Sequence, residues 1–206
     1  MTSCKLKGNA LFDAFENSQK ICAGLGIYFT QKETHEAYPT TSVADILKLA
    51  RNPKKYAKEN APWAIFSLYH AHDARSHSAQ REKGQFYALA ADIDKGNHSL
   101  AEIVVSLQRG NTEVSALVYS TSSSTAENRR WRIILPLISS IPGSDYEIYQ
   151  TAFFNNLAKC NIEADRALSR AGQPVMLPNV PPENRNKYGF PTFYQFAVIH
   201  RGERYE

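Results

Sequence analysis

Cysteine is scarce in this chain of 206 residues. Cys4, Cys22 and Cys160 stand far apart and outside any C-x-x-C or Cys/His ligand spacing. That excludes a disulfide framework and a structural zinc site, and it suits a reducing compartment. Long apolar runs are lacking too: no stretch approaches the ~18 residues of a membrane span, and no hydrophobic segment follows Lys5 and Lys7 at the amino end. The expectation is a chain that is neither exported nor set in a membrane. Charge of one sign is equally short, with 24 Lys and Arg against 20 Asp and Glu, a formal +4 and a pI near 8.9. A surplus of that size does not make a nucleic-acid binder by itself; it permits one where the cations cluster. Core material is what the chain has in quantity. Hydrophobic residues at 43% and aromatics at 11% exclude a disordered or collagen-like protein, and the length suffices for one sizeable domain or two small ones.

Residues 1–80 read as a helical and irregular amino-terminal module. Ser42-Val43-Ala44-Asp45 has the S-x-x-D form of a capping box, with Ile46, Leu47 and Ala50 as the apolar stripe behind it. Asn52-Pro53 is expected to start a second short helix, since Asn caps well and Pro fits a first turn. The polar stretch from His70 to Gly84 reads as a surface loop. From residue 85 the pattern becomes regular. Phe86 to Asp94 reads as a strand, broken by Lys95-Gly96-Asn97. Ser99-Leu100-Ala101-Glu102 is a second capping box, heading a helix that stops at Gly110. Glu113 to Thr121 and Arg130 to Leu137 read as strands, Pro142-Gly143 as a loop, and Ser144 to Glu147 as the cap of a helix through Leu157. Pro174 to Leu177 and Phe193 to Ile199 supply the last strand material. The order over 85–200 is β-α-β-β-α-β. The expected fold class is therefore α+β, a ferredoxin-like or RRM-like antiparallel sheet with helices on one face and the other face open for binding. Together with the module over 1–80, it makes a single domain.

Asp92 and Asp94 lie two apart at the end of the first of these strands. Side chains at i and i+2 point the same way, with α-carbons ~6.5–7 Å apart, so both carboxylates converge above one face. Ala88 and Ala90 share that face, while Tyr87, Leu89, Ala91 and Ile93 take the helix-covered one. Paired carboxylates repel unless cations neutralise them, and hard divalent ions with oxygen ligands do this well. A D-x-D at a strand end is otherwise solvated turn chemistry. Arg130 and Arg132 alternate in the same manner, and two forked guanidiniums on one face suit phosphate oxygens, although arginines on an edge strand also serve solubility alone. The hydroxyl run Thr121-Ser122-Ser123-Ser124-Thr125 between the strands can hold phosphates or merely turn the chain.

Taken together, Ala88 to Asp94, Tyr119 to Thr125 and Arg129 to Leu137, followed by Asp165-Arg166-Ala167-Leu168-Ser169-Arg170, resemble the archaeo-eukaryotic primase superfamily. The likeness is to the primase-polymerase domains of phages, plasmids and integrated elements, and it runs over residues 62–200. It implies a template-directed nucleotidyltransferase that makes primers and extends DNA in replication. Asp92, Asp94 and Asp165 would be the catalytic carboxylates and hold Mg2+ or Mn2+ in a two-metal site. Thr121, Ser122, Ser123, Ser124, Arg130 and Arg132 would surround the nucleotide. The family's second motif ends in a histidine that contacts the incoming phosphates, and here that position falls on Ser124. Positive charge is then left to Arg130, Arg132 or a mobile cation such as Lys83, with His98 read as a surface histidine near a helix start. Implied partners are a single-stranded DNA template, a primer, nucleoside triphosphates and a fused or partner helicase. The chain reads as the amino-terminal part of a longer cytoplasmic protein, in a host cell if phage- or plasmid-encoded. Two other classes fit the same residues: a replication initiator or single-strand-binding module without catalysis, and a two-metal nuclease.

Overall fold

The computed structural model describes residues 18–109, 114–186 and 188–202. Cys4, Lys5, Lys7, the helix stop at Gly110, the strand start at Glu113 and the chain end at 203–206 lie outside the described residues. In chain order the elements are β1 (Ile21–Leu25), β2 (Thr40–Thr41), α1 (Val43–Arg51), β3 (Lys54–Lys55), β4 (Pro62–Ile65), α2 (His77–Lys83) and β5 (Gln85–Ile93). Then follow α3 (Leu100–Gln108), β6 (Ala116–Ser120), β7 (Trp131–Pro142), α4 (Gly143–Ala158), β8 (Val175–Met176), β9 (Asn179–Val180) and β10 (Phe196–Ile199). They make a mixed α/β fold with two four-stranded antiparallel sheets, ordered β2-β1-β4-β8 and β10-β6-β7-β5, and a parallel ribbon of β3 with β9. No helix among the described residues is long and apolar enough to cross a membrane.

The second sheet follows the expected β-α-β-β-α-β element order, but its strand order is not the ferredoxin-like one. That arrangement sets the fourth strand beside the first; here β10 lies against β6, at the edge opposite β5. Helices α3 and α4 cover one face, with Leu89 and Leu135 lining the cavity between them. The other face is not open. Ala88 and Ala90 are wholly buried on it, and the Tyr119 hydroxyl and Arg132 guanidinium each donate to the Met176 carbonyl of β8 at 2.7 Å, tying the two sheets together. The exposed edge of β5 is closed by α4, where the buried Gln150 amide both accepts from the Ala90 N–H (3.2 Å) and donates to its carbonyl.

The amino-terminal module is a sheet rather than a helical and irregular segment, and it takes its fourth strand, β8, from beyond residue 170. Its strands are short, β1 carries Gly24 and β4 opens on Pro62, so they lack a readable period. Asn52-Pro53 ends α1 instead of opening a helix: the Asn52 N–H donates to the Lys48 carbonyl, and β3 then pairs with β9. The Asn179 side chain fixes that ribbon by clasping both backbone groups of Tyr56, at 3.0 and 2.8 Å. The expected loop over 70–84 contains α2, capped by Ser76. Of its two buried residues, Ala79 and Gln80, the larger is a glutamine that donates to the Tyr69 and Ala74 carbonyls, so no apolar stripe announces the helix. Nor does a loop part β7 from α4. Gly143 begins the helix directly, and glycine is required there because a Cβ would stand 2.0 Å from the Gln80 carbonyl oxygen.

His77 ties α2 to the segment after α4. Its Nδ1 accepts the Gly172 N–H at 3.0 Å, and burial, then Arg170 and Arg81, lower its pKa. A lowered folded pKa means that the unfolded chain takes up the proton first, so this stabilisation is present above the ordinary histidine value and is lost as pH falls through the lowered one. The Tm advantage of wild type over His77→Asn should narrow on acidification from about pH 8 to about pH 5; a constant difference would contradict it.

Candidate functional site

Two cross-strand rows carry the site. In the first, Asp92 on β5 stands opposite Arg132 on β7, and Arg132 opposite Tyr119 on β6. Directly opposed residues of an antiparallel pair share a face, so carboxylate, guanidinium and phenol line up on the face that meets the other sheet. The second row lies just beyond the strand ends, where Asp94, Arg130 and Thr121 follow the same alternation. The Thr121 N–H donates to the Arg130 carbonyl at 3.0 Å, and Arg130 Nη1 donates to Asp94 Oδ1 at 3.5 Å.

The two rows differ in burial. Arg132 and Asp92 form an ion pair whose side chains are only 10% and 18% exposed. Arg130 and Asp94 are 33% and 49% exposed. Among the described residues, Asp92 Oδ1 is buried without a hydrogen-bond partner, and so are the Nε atoms of Arg130 and Arg132. Burial, and next the charge of Asp92, push the Asp94 carboxyl above its ordinary value, against the opposing pull of Arg130, Arg132 and Lys58.

These groups line a cleft of about 70 Å³, with Thr121, Ser122 and Ser123 on one wall and Lys58 and Asn179 on another. A neighbouring cavity of about 220 Å³ shares Lys58, Asp92, Arg132 and Met176, and has Asp165 in its wall. Asp165 is held close by a backbone bond from its N–H to the Asp92 carbonyl, 2.9 Å, but its carboxylate accepts the Ala167 N–H at 2.9 Å and caps the 3-10 turn Arg166–Ser169. Among the described residues no three His, Cys, Asp or Glu side chains come together as a metal-binding group. The donor set fits a hard divalent cation at two carboxylates, an Asp92 oxygen without a donor among the described residues and an Asp94 carboxylate half exposed at the cleft.

Ser124 does not line the cleft. It is wholly buried, and its hydroxyl accepts the Arg130 N–H at 3.1 Å, fixing the loop that delivers the second row. Thr121 and Ser123 share a hydroxyl contact of 3.2 Å. Lys83 is engaged elsewhere, over the Tyr69 ring at 5.4 Å. The His98 carbonyl accepts the Trp131 indole N–H at 2.7 Å. Lys58, Asn179 and the Tyr119 hydroxyl are the site groups that sequence reasoning misses. Lys58 sits in a polar stretch with no periodic signal, and Asn179 reaches the cleft only through the β3–β9 ribbon.

No family model matches the chain, and no curated protein does. Among solved structures it is similar to the AEP domain of the cyanophage S-2L primase-polymerase, at 12% identity and a TM-score of 0.46, over 91% of this chain and 85% of that one. A similarity of that size fixes neither fold family nor activity.

Burial divides the two carboxylates experimentally. Asp92→Asn strands the Arg132 charge and should lower unfolding stability by about 3–5 kcal/mol, whereas Asp94→Asn removes a carboxylate that Asp92 repels and should leave Tm unchanged or higher. Equal Tm values for the two variants would refute this division. Ser124→His forces an imidazole into a filled site and should cost about 1–3 kcal/mol in chemical denaturation; a fully stable variant would show that residue 124 can turn outward.

Proposed function

We propose that this chain is a metal-dependent DNA primase-polymerase domain, transferring nucleotidyl units from nucleoside triphosphates to a primer 3′-hydroxyl or an initiating nucleotide under direction of a single-stranded template. The observation that carries the reading is the pair Asp92 and Asp94 in one cleft, with a buried Asp92 oxygen that has no donor among the described residues and the hydroxyls of Thr121, Ser122 and Ser123 in the same lining. The sequence resemblance to primase-polymerases points the same way. Mg2+ or Mn2+, when bound by Asp92 and Asp94, supplies charge neutralisation at the triphosphate and Lewis acidity at the attacking hydroxyl. Arg132 pairs with Asp92 and fixes its direction, a positioning role. Arg130 and Lys58 face the cleft with exposed surface and offer donors to phosphate oxygens. Ser122 and Ser123 add hydroxyls, and Thr121 sets their wall through its bond to the Arg130 backbone. Asp165 joins as a third ligand if its carboxylate releases the Ala167 N–H.

A second reading has its own support: with Asp92 paired to Arg132 and Asp165 spent as a cap, the cleft would bind nucleotides or DNA without synthesis. One assay separates the readings. Incubation with a primed single-stranded template, labelled nucleotides and Mn2+ should give longer strands, and Asp94→Asn should reduce them by at least a hundredfold, in line with the loss of a transition-state charge stabiliser, at unchanged Tm. Shortened strands would indicate a nuclease, and no product a binding module.

A further inference from the structure

The row that holds the ion pair does not end at the cleft. Tyr119 stands opposite Phe196 on the edge strand β10, so Asp92, Arg132, Tyr119 and Phe196 lie side by side across all four strands on one face. Three strand spacings of ~4.8 Å put Phe196 ~14 Å from Asp92. The ladder continues past the strand end through the Ser120 and Gln195 backbones, with Ser120 N–H to Gln195 carbonyl at 2.9 Å. Tyr194 thus follows Phe196 on the same face, their rings 6.2 Å apart. The Tyr194 hydroxyl donates to the Ala50 carbonyl at the end of α1, which anchors this aromatic pair beside the stretch leading to Lys54 and Lys55. Both lysines are exposed, on the ribbon whose other strand brings Asn179 to the cleft. Phe190, 61% exposed, is held by two bonds with Asn186: its N–H donates to Asn186 Oδ1 at 3.1 Å, and its carbonyl accepts the Asn186 N–H at 2.9 Å.

Large aromatics exposed on and just before the edge strand, with two exposed lysines shortly after the Ala50 carbonyl that Tyr194 holds, are costly to leave in water and suited to a partner with flat apolar faces and regular negative charge. We propose that Phe196, backed by Tyr194 and joined by Phe190, is a stacking platform for the bases of single-stranded DNA, with Lys54 and Lys55 on its phosphates, continuous with the Asp92–Asp94 cleft. That the strand leads into the cleft rests on the function proposed above; the stacking itself does not.

The test is fluorescence anisotropy of the full chain with a labelled oligothymidylate, without divalent cation. Phe190→Ala and Phe196→Ala should each weaken binding by about fivefold to a hundredfold, as expected for loss of one stacked base, and Phe196→Trp should retain it. Lys54→Glu with Lys55→Glu should flatten the salt dependence. The platform is overturned if folded alanine variants bind within twofold of wild type, or if they alter only self-association through the free edge of β10. Primer extension run in parallel keeps the two proposals apart. Stacking loss in a chain inert in synthesis supports the platform and refutes only the polymerase reading, whereas normal synthesis and DNA affinity in the alanine variants refute only the platform.

Discussion

The ion pair between Asp92 and Arg132 is the interaction on which the rest of the site depends. Both groups are nearly buried, and Arg132 reaches past Asp92 to the Met176 carbonyl of the opposite sheet. Buried pairs of this kind add little net stability, because the desolvation of two charges roughly cancels their attraction. Its contribution is geometric. It fixes one oxygen of the carboxylate and, among the described residues, leaves Asp92 Oδ1 without a donor. It also divides the labour between the arginines: Arg132 is committed to the interior, and Arg130 is the one with exposure toward the cleft.

The closed face follows from the same contact. Small residues at 88 and 90 look in sequence like room for a substrate, but the β2-β1-β4-β8 sheet covers that face. Its Trp63 is itself seated by Gly24, where a Cβ would fall 2.2 Å from the indole. The chemistry is therefore confined to the end of β5, past the last alanine, where two rows of charged side chains meet the hydroxyl loop. Ser124 belongs to the framework of that loop: a hydroxyl small enough to be buried can accept the Arg130 N–H and hold the second row in register.

Alternation made the carboxylate pair, the arginine pair and the division of β5 into two faces legible, because a period of two is local and survives folding. The helix caps at Ser42 and Ser99 were legible for the same reason; the Ser99–Glu102 capping box is complete. What depended on distant partners was not. The order β10-β6-β7-β5 turns on which edge the last strand meets, a choice no local pattern records. The sheet of the amino-terminal module needs β8 from the far end of the chain, and α2 buries a glutamine whose partners are carbonyls of the preceding loop. Asp165 came near Asp92 as the motif spacing suggested, through its backbone; that its carboxylate caps a turn is a matter of rotamer and neighbour.

Charge explains why the two proposed ligands of the cleft should depend on each other. With Arg132 and Asp92 mutually neutralised, Lys58 and Arg130 face Asp94, a weakly positive balance that attracts phosphate from a chain whose overall +4 is modest. A phosphate drawn in must approach the carboxylates of the cleft, and anion and carboxylate repel in a poorly screened space. A divalent cation at the carboxylates removes that repulsion, and the phosphate in turn offers the cation oxygens that two carboxylates cannot supply. Linkage requires the benefit to be reciprocal. On the proposed reading, nucleotide and metal are each other's missing ligand, which is how a cleft with two facing carboxylates can be sufficient.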